Sequence, residues 1–260
     1  MDDRKMKILV VLSGGQDSTT CLFWAKQEYP KSEIHAVTFD YGQRHALEIQ
    51  AAKAVAGIAK VVSHEIVEVG SILKGTSPLT DKSIELETYD NYTEMDKIIG
   101  TRVEKTFVPM RNTLFLTLAF NRAVVLGATR VVTGVCQQDN ANYPDCRANF
   151  IAFLQDAMNE GLGYMRGGGT YIRIDTPLMD LSKADSIRLA RGIPGCYEAL
   201  AFSHTAYDGK YPPTGQDHAS TLRAQGFLEA GFPDPLVVRA VTEGLMELPA
   251  TTNYDSLRVK

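Results

Sequence analysis

The run Lys-Ile-Leu-Val-Val-Leu at 7–12, halted by Ser13-Gly14-Gly15 and followed by a helical pattern from Asp17, constrains this chain most. Six apolar residues bounded by a turn signal predict a strand buried on both faces. Further strands are predicted at 34–40, 61–67, 129–135 and 171–175, with helices at 46–57, 112–126, 150–160 and 181–191. Strands and helices alternating at this spacing predict an α/β fold, a Rossmann-like parallel sheet with helices on both faces. The stretch 71–106 loses the pattern and reads as a long active-site excursion, and 161–169 reads as a glycine-rich loop. Beyond Gly192 the chain turns irregular, rich in Pro, Gly and Tyr, with one more helix near 235–246. An α/β domain over 1–195 and a C-terminal helical and irregular appendage over 196–260 are therefore expected.

Charge narrows the partners. A formal net charge of -4 and a pI near 5.8 give no reason to expect a nucleic-acid backbone. A small anionic substrate would be held by local basic residues and backbone N–H groups. Nothing approaches about 18 uninterrupted apolar residues, so no membrane helix is expected. Cys21, Cys136, Cys146 and Cys196 show no paired CxxC spacing. With no signal segment apparent, reduced thiols and a cytoplasmic location are expected.

Ser13-Gly14-Gly15-Gln16-Asp17-Ser18 lies between a strand and a helix. Two glycines let the backbone approach a ligand, and the helix presents free N–H groups and a positive dipole end. Ser13 and Ser18 add hydroxyls, and Asp17 suits a magnesium ion held against phosphate oxygens. The lysine of a Walker loop is missing. A bare strand-to-helix turn would also carry glycines, but the appended Asp-Ser pair resembles the pyrophosphate loop of the ATP pyrophosphatase superfamily, of the adenine nucleotide alpha hydrolase-like fold. That resemblance implies ATP cleavage to AMP and pyrophosphate with adenylation of an oxygen.

Three more segments fall just past strand ends, where open parallel sheets bind ligands. They are Asp40-Tyr41-Gly42-Gln43-Arg44-His45 with Glu48 a turn later, Pro109-Met110-Arg111-Asn112, and Gly134-Val135 with Asp139 and Tyr143-Pro144-Asp145-Cys146-Arg147. Each has a plain alternative as a solvated turn, a helix cap or a surface ion pair. Together with the loop, and with Thr176-Pro177-Leu178-Met179 and Lys183, they closely resemble the 7-cyano-7-deazaguanine synthase family of the queuosine pathway. The resemblance implies an ATP-dependent carbon–nitrogen ligase that takes 7-carboxy-7-deazaguanine and ammonia to the nitrile through an acyl adenylate and an amide. Within it, Asp17, Arg111 and Lys183 are the candidate catalytic residues, with Arg111, Lys183 and the loop amides around the α-phosphate. Tyr41, Arg44 and His45 would shape the nucleotide side. Asp139, Tyr143, Asp145 and Arg147 would hold the deazapurine, a carboxylate accepting from its 2-amino and N1–H edge. A homodimer is the family expectation, and an ammonia donor is left open.

The chain departs from the family at its four C-terminal zinc cysteines. The frame persists around Ser203-His204-Thr205 and Pro212-Pro213, but Ala206, Thr214, Asp217 and Ser220 occupy the ligand positions. Alanine has no donor atom and hydroxyls are poor zinc ligands, so zinc is not expected. His204, Asp217 and His218 are the alternative set for a different metal site, although their spacing matches no standard motif. Cys196 is expected to be a buried thiol, and either packing of Phe202, Tyr207, Tyr211 and Phe227 or subunit contacts are expected to offset the lost metal. The departure also admits a paralogue that adenylates the same acid and passes it to another amine, such as a protein N-terminus. Two further readings are a relative that activates a tRNA base for sulfur transfer and a catalytically silent nucleotide-binding subunit.

Overall fold

The computed structural model describes residues 5–42, 47–75, 77–138, 141–213 and 215–258. Five strands, β1 (Lys7–Val11), β2 (Glu33–Asp40), β3 (Ser63–Glu68), β4 (Arg130–Val132) and β5 (Arg173–Asp175), form one sheet in the order β3-β2-β1-β4-β5. Every pairing is parallel, with Val10 of β1 opposite Ala36 of β2 on one side and Val132 of β4 on the other. The helices are α1 (Gln16–Glu28), α2 (Leu47–Ala59), α3 (Tyr92–Ile99), α4 (Arg111–Leu126) and α5 (Ala148–Gly161), then α6 (Lys183–Gly192), α7 (Cys196–Ala199), α8 (His218–Ala230), α9 (Pro235–Thr242) and α10 (Asp255–Arg258).

Alternation along β1 explains the two-sided core. Ile8, Val10 and Leu12 pack with Leu22 of α1, Val55 of α2 and Ile187 of α6. Leu9 points the other way and joins Leu116 and Phe120 of α4 and Ile151 of α5. Successive residues of a strand face opposite sides, so an unbroken apolar run needs helices on both. Cys196, Leu200 and Phe227 belong to the first of these cores, so the chain after residue 195 packs directly onto the sheet layer.

Two helices appear where the sequence pattern was weak. Within 71–106, α3 is capped by the Asn91 side chain, which accepts from Glu94 N, and it buries only Met95 and Ile99. Those two meet Tyr89 and Leu222, so α3 is a helix fixed by a distant partner rather than by its own periodicity. The region expected to be irregular holds α8, whose N-cap Asp217 accepts from Ser220 N and whose C-cap Gly231 adopts φ 78°. β4 ends at Val132, short of the expected Val135, because residues 133–136 leave the sheet to line the site.

Arg223 of α8 ties this region together. Its guanidinium donates to both Asp234 oxygens at 2.6 and 2.8 Å, and to Ser203 Oγ, Thr205 Oγ1 and Leu200 O. Asp234 also caps α9, accepting from Leu236 N at 2.9 Å ahead of Pro235. Both ends of the pair are 4% exposed, and every donor of the buried cation is matched.

Candidate active site

The strand order reverses between β1 and β4, and a cavity of about 320 Å³ opens at their carboxyl ends. That is the crevice where open parallel sheets take ligands, and the volume falls in the range of small-molecule pockets. After β1 the chain turns through 13–15 into α1, whose N-terminal N–H groups supply positive potential there.

The turn is braced by its own hydroxyls. Ser18 Oγ accepts from Ser13 N at 3.2 Å, lies 3.0 Å from Ser13 Oγ and donates to Gly15 O at 3.1 Å. Gly14 adopts φ 86°, and its carbonyl accepts from His204 N at 2.9 Å. A Cβ on Gly14 would sit 2.3 Å from Glu48 O and 2.7 Å from Ala52 N, so α2 is pressed against the loop. Gly134 plays the matching part on the β4 side, where a Cβ would come within 3.0 Å of Asp17 C. Lys183, first residue of α6, donates to Asp17 Oδ2 at 2.9 Å. A carboxylate among hydroxyls at a helix N-terminus is the hard oxygen donor that suits magnesium with phosphate.

Arg111 opens α4 and lies enclosed among tyrosines. Burial works against its charge, but Tyr41, Tyr143, Tyr207 and Asp145 oppose that and hold its pKa above the ordinary value. Burial raises all three tyrosines in turn. Tyr143 is further fixed by Thr106 Oγ1 at 2.5 Å and Glu104 Oε2 at 3.3 Å, both from the 71–106 excursion. Glu48, in the first turn of α2, faces the same cation. Burial lifts its carboxyl to about 7 despite Arg111. A permanently charged guanidinium lining the crevice is suited to an anion that develops during reaction.

Ser13, Gly15, Asp17, Ser18, Tyr41, Arg111, Tyr143, Arg147 and Lys183 all line the one cavity. Gly14 lies behind the loop. Asp145, expected at the purine edge, does not line the cavity; it is buried, with Oδ2 lacking a hydrogen-bond partner among the described residues, and burial raises its pKa. Arg44, His45, Asp139 and Thr214 lie outside the described residues. Sequence reading assigned no site role to Phe115 or Tyr207, named Glu48 only beside the 40–45 segment, and weighed His204 and His218 only as members of a different metal site; all five share the wall. The helical spacing of Glu48 after the 40–45 segment, and of Phe115 one turn after Arg111 on α4, was the available signal; His204, Tyr207 and His218 depend on chain return from beyond residue 200.

The former ligand positions do not fit zinc. Ala206 is buried at 1% exposure and has no donor. Asp217 and Ser220 satisfy one another, Ser220 N and Oγ donating to the Asp217 carboxylate at 3.0 and 2.8 Å. Among the described residues no group of three or more His, Cys, Asp or Glu side chains is arranged to hold a metal. Phe227 is fully buried, as packing required, whereas Phe202 is 42% exposed and lies under the Arg239 guanidinium.

The family model described as queuosine biosynthesis protein QueC matches residues 7–231. A 7-cyano-7-deazaguanine synthase of Gloeobacter violaceus is 48% identical over 232 residues, covering 88% of this chain and 95% of that protein. Enzymes of the same name from Chromobacterium violaceum and Laribacter hongkongensis are 44% and 46% identical, covering 91% and 89% of this chain and 95% and 94% of theirs.

Proposed function

This chain belongs to the queuosine biosynthesis protein QueC family, and from that premise we propose that it converts 7-carboxy-7-deazaguanine and ammonia to 7-cyano-7-deazaguanine with ATP. The observation that carries the reading is one cavity joining the Ser13–Ser18 loop, Lys183 and the enclosed Arg111. The loop amides and serines take the β- and γ-phosphates at the start of α1. Magnesium, held by Asp17, would neutralise charge on the phosphates. Lys183 would exchange its Asp17 partner for the α-phosphate. Arg111 holds the substrate carboxylate against that phosphorus, so its oxygen attacks and pyrophosphate leaves. Ammonia then displaces AMP from the acyl adenylate to give the amide, and a second adenylation and loss of AMP give the nitrile. Tyr143 offers an aromatic surface and Arg147 a donor for the deazapurine. Tyr41 borders the nucleotide side.

Residues 1–195 carry this chemistry in our reading, and 196–260 close the cavity without zinc. The substitutions at Ala206, Thr214, Asp217 and Ser220 favour one second reading, transfer of the same acyl group to another amine, such as a protein N-terminus. Incubation with 7-carboxy-7-deazaguanine, magnesium-ATP and ammonium, followed by mass spectrometry and metal analysis, separates them. Nitrile and AMP from zinc-free protein are expected. Amide alone, or mass added to a protein, would favour the second reading, and no AMP would refute adenylation.

A further inference from the structure

Among the described residues lining the cavity, two are acidic, Asp17 and Glu48. Asp17 is engaged by Lys183. The Glu48 carboxylate makes no hydrogen bond or ion pair among the described residues, although it lines the cavity and is half-buried. Its position is imposed by backbone. The close approach of Glu48 O and Ala52 N to Gly14 locks the first turn of α2 to the loop. Among the described residues, the charged and titratable groups that bear on it are Arg111 of α4, Tyr41 beyond β2 and Tyr207 of the returning chain. Aromatic rings complete the wall: Phe39 stacks on Phe115 at 4.8 Å, and Tyr41 meets Phe115 at 5.2 Å. A carboxylate beside aromatic faces is a receptor for a small ammonium cation.

We propose that Glu48 binds the incoming ammonium and takes its proton, releasing ammonia against the acyl adenylate. The inference rests on the adenylation reading above. Ammonium has no lone pair, and at neutral pH nearly all dissolved ammonia is in that form, so a proton must be removed before the carbon–nitrogen bond forms. The proton passes to the Glu48 carboxylate. The nitrogen lone pair then bonds to the acyl carbon, the bond to the AMP oxygen breaks, and AMP leaves with that electron pair. A second nitrogen proton goes to solvent, leaving the neutral amide. His204 is the less suited acceptor, because its Nε2 is committed to the Ala206 carbonyl at 2.9 Å. A carboxyl raised to about 7 is poised to accept a proton at neutral pH.

The test separates the half-reactions in the full-length protein. ATP–pyrophosphate exchange dependent on 7-carboxy-7-deazaguanine reads adenylation without ammonia. Ammonium-dependent AMP release reads amide formation. Glu48→Gln is expected to keep exchange while ammonium-dependent turnover falls about 100-fold, within the usual range for a lost general base. Hydroxylamine, neutral at that pH, should restore turnover in Glu48→Gln, and Glu48→Asp should recover part of the ammonium reaction. Unchanged ammonium turnover, equal losses with hydroxylamine and ammonium, or loss of exchange in both variants would each overturn the role. Absence of exchange in the unsubstituted protein would instead remove the adenylation reading, and this inference with it.

Discussion

Replacement of Gly14 by alanine tests how the phosphate loop is held. Gly14 has φ 86°, and the new Cβ would lie 2.3 Å from Glu48 O and 2.7 Å from Ala52 N. Both obstructing atoms are backbone of α2, so no rotamer change relieves them. The left-handed conformation costs an L-residue about 1–2 kcal/mol. Forcing loop and helix apart adds about 1–3 kcal/mol, as overpacking does. A loss of about 2–5 kcal/mol is expected, a large share of the stability of an ordinary domain. For a chain of this size that corresponds to a melting temperature lower by about 5–15 °C. Gly15→Ala is the control. Gly15 has φ -78°, and its Cβ would meet Ser13 Oγ at 3.4 Å and His204 O at 3.6 Å, which are ordinary contacts. That variant should melt within about 3 °C of the parent, since an alanine that fits costs little. Thermal unfolding followed by circular dichroism reads both. A Gly14→Ala protein melting with the parent, or a Gly15→Ala protein falling as far, would refute this account of the turn.

Asp17→Ala should abolish substrate-dependent pyrophosphate release while leaving the melting temperature near that of the parent, because it removes an oxygen donor at the cavity wall; normal turnover would dismiss the magnesium role. Asp234→Ala leaves the buried Arg223 cation unpaired and uncaps α9, so a loss of about 3–5 kcal/mol is expected in urea unfolding, and a change below about 1 kcal/mol would show that the pair is replaceable. Glu48 carries a pH signature. Its folded-state pKa of about 7 lies above the unfolded value near 4.5, so its ionisation destabilises the fold as pH rises through that window. Glu48→Gln should therefore gain melting temperature on the parent between about pH 5 and pH 8, and a difference independent of pH would contradict the burial of that carboxyl.

Much of the architecture is local and could be read from the chain. Ile8–Val10 announce a strand buried on both sides, because apolar residues on both faces of a strand require two covering layers. Lys183 opens a helix soon after β5, so its arrival at the crevice follows from parallel topology, whereas Arg111 opens α4 only after the long excursion that follows β3, contrary to the expected strand-end position. α3 and α8 were less legible. α3 owes its burial to Leu222, more than 100 residues away, and α8 begins at Asp217, a cap whose value depends on the Ser220 it binds.

The sequence by itself determined the parallel α/β class, the phosphate loop and most residues facing it, because period, turn chemistry and motif spacing are properties of neighbouring residues. Tertiary structure alone decided that Asp145, but not Glu48, lies behind the wall, and that His204, Tyr207 and His218 return to close it. Burial is a sum over contacts from distant segments, and no local pattern records which of two carboxylates those contacts will cover.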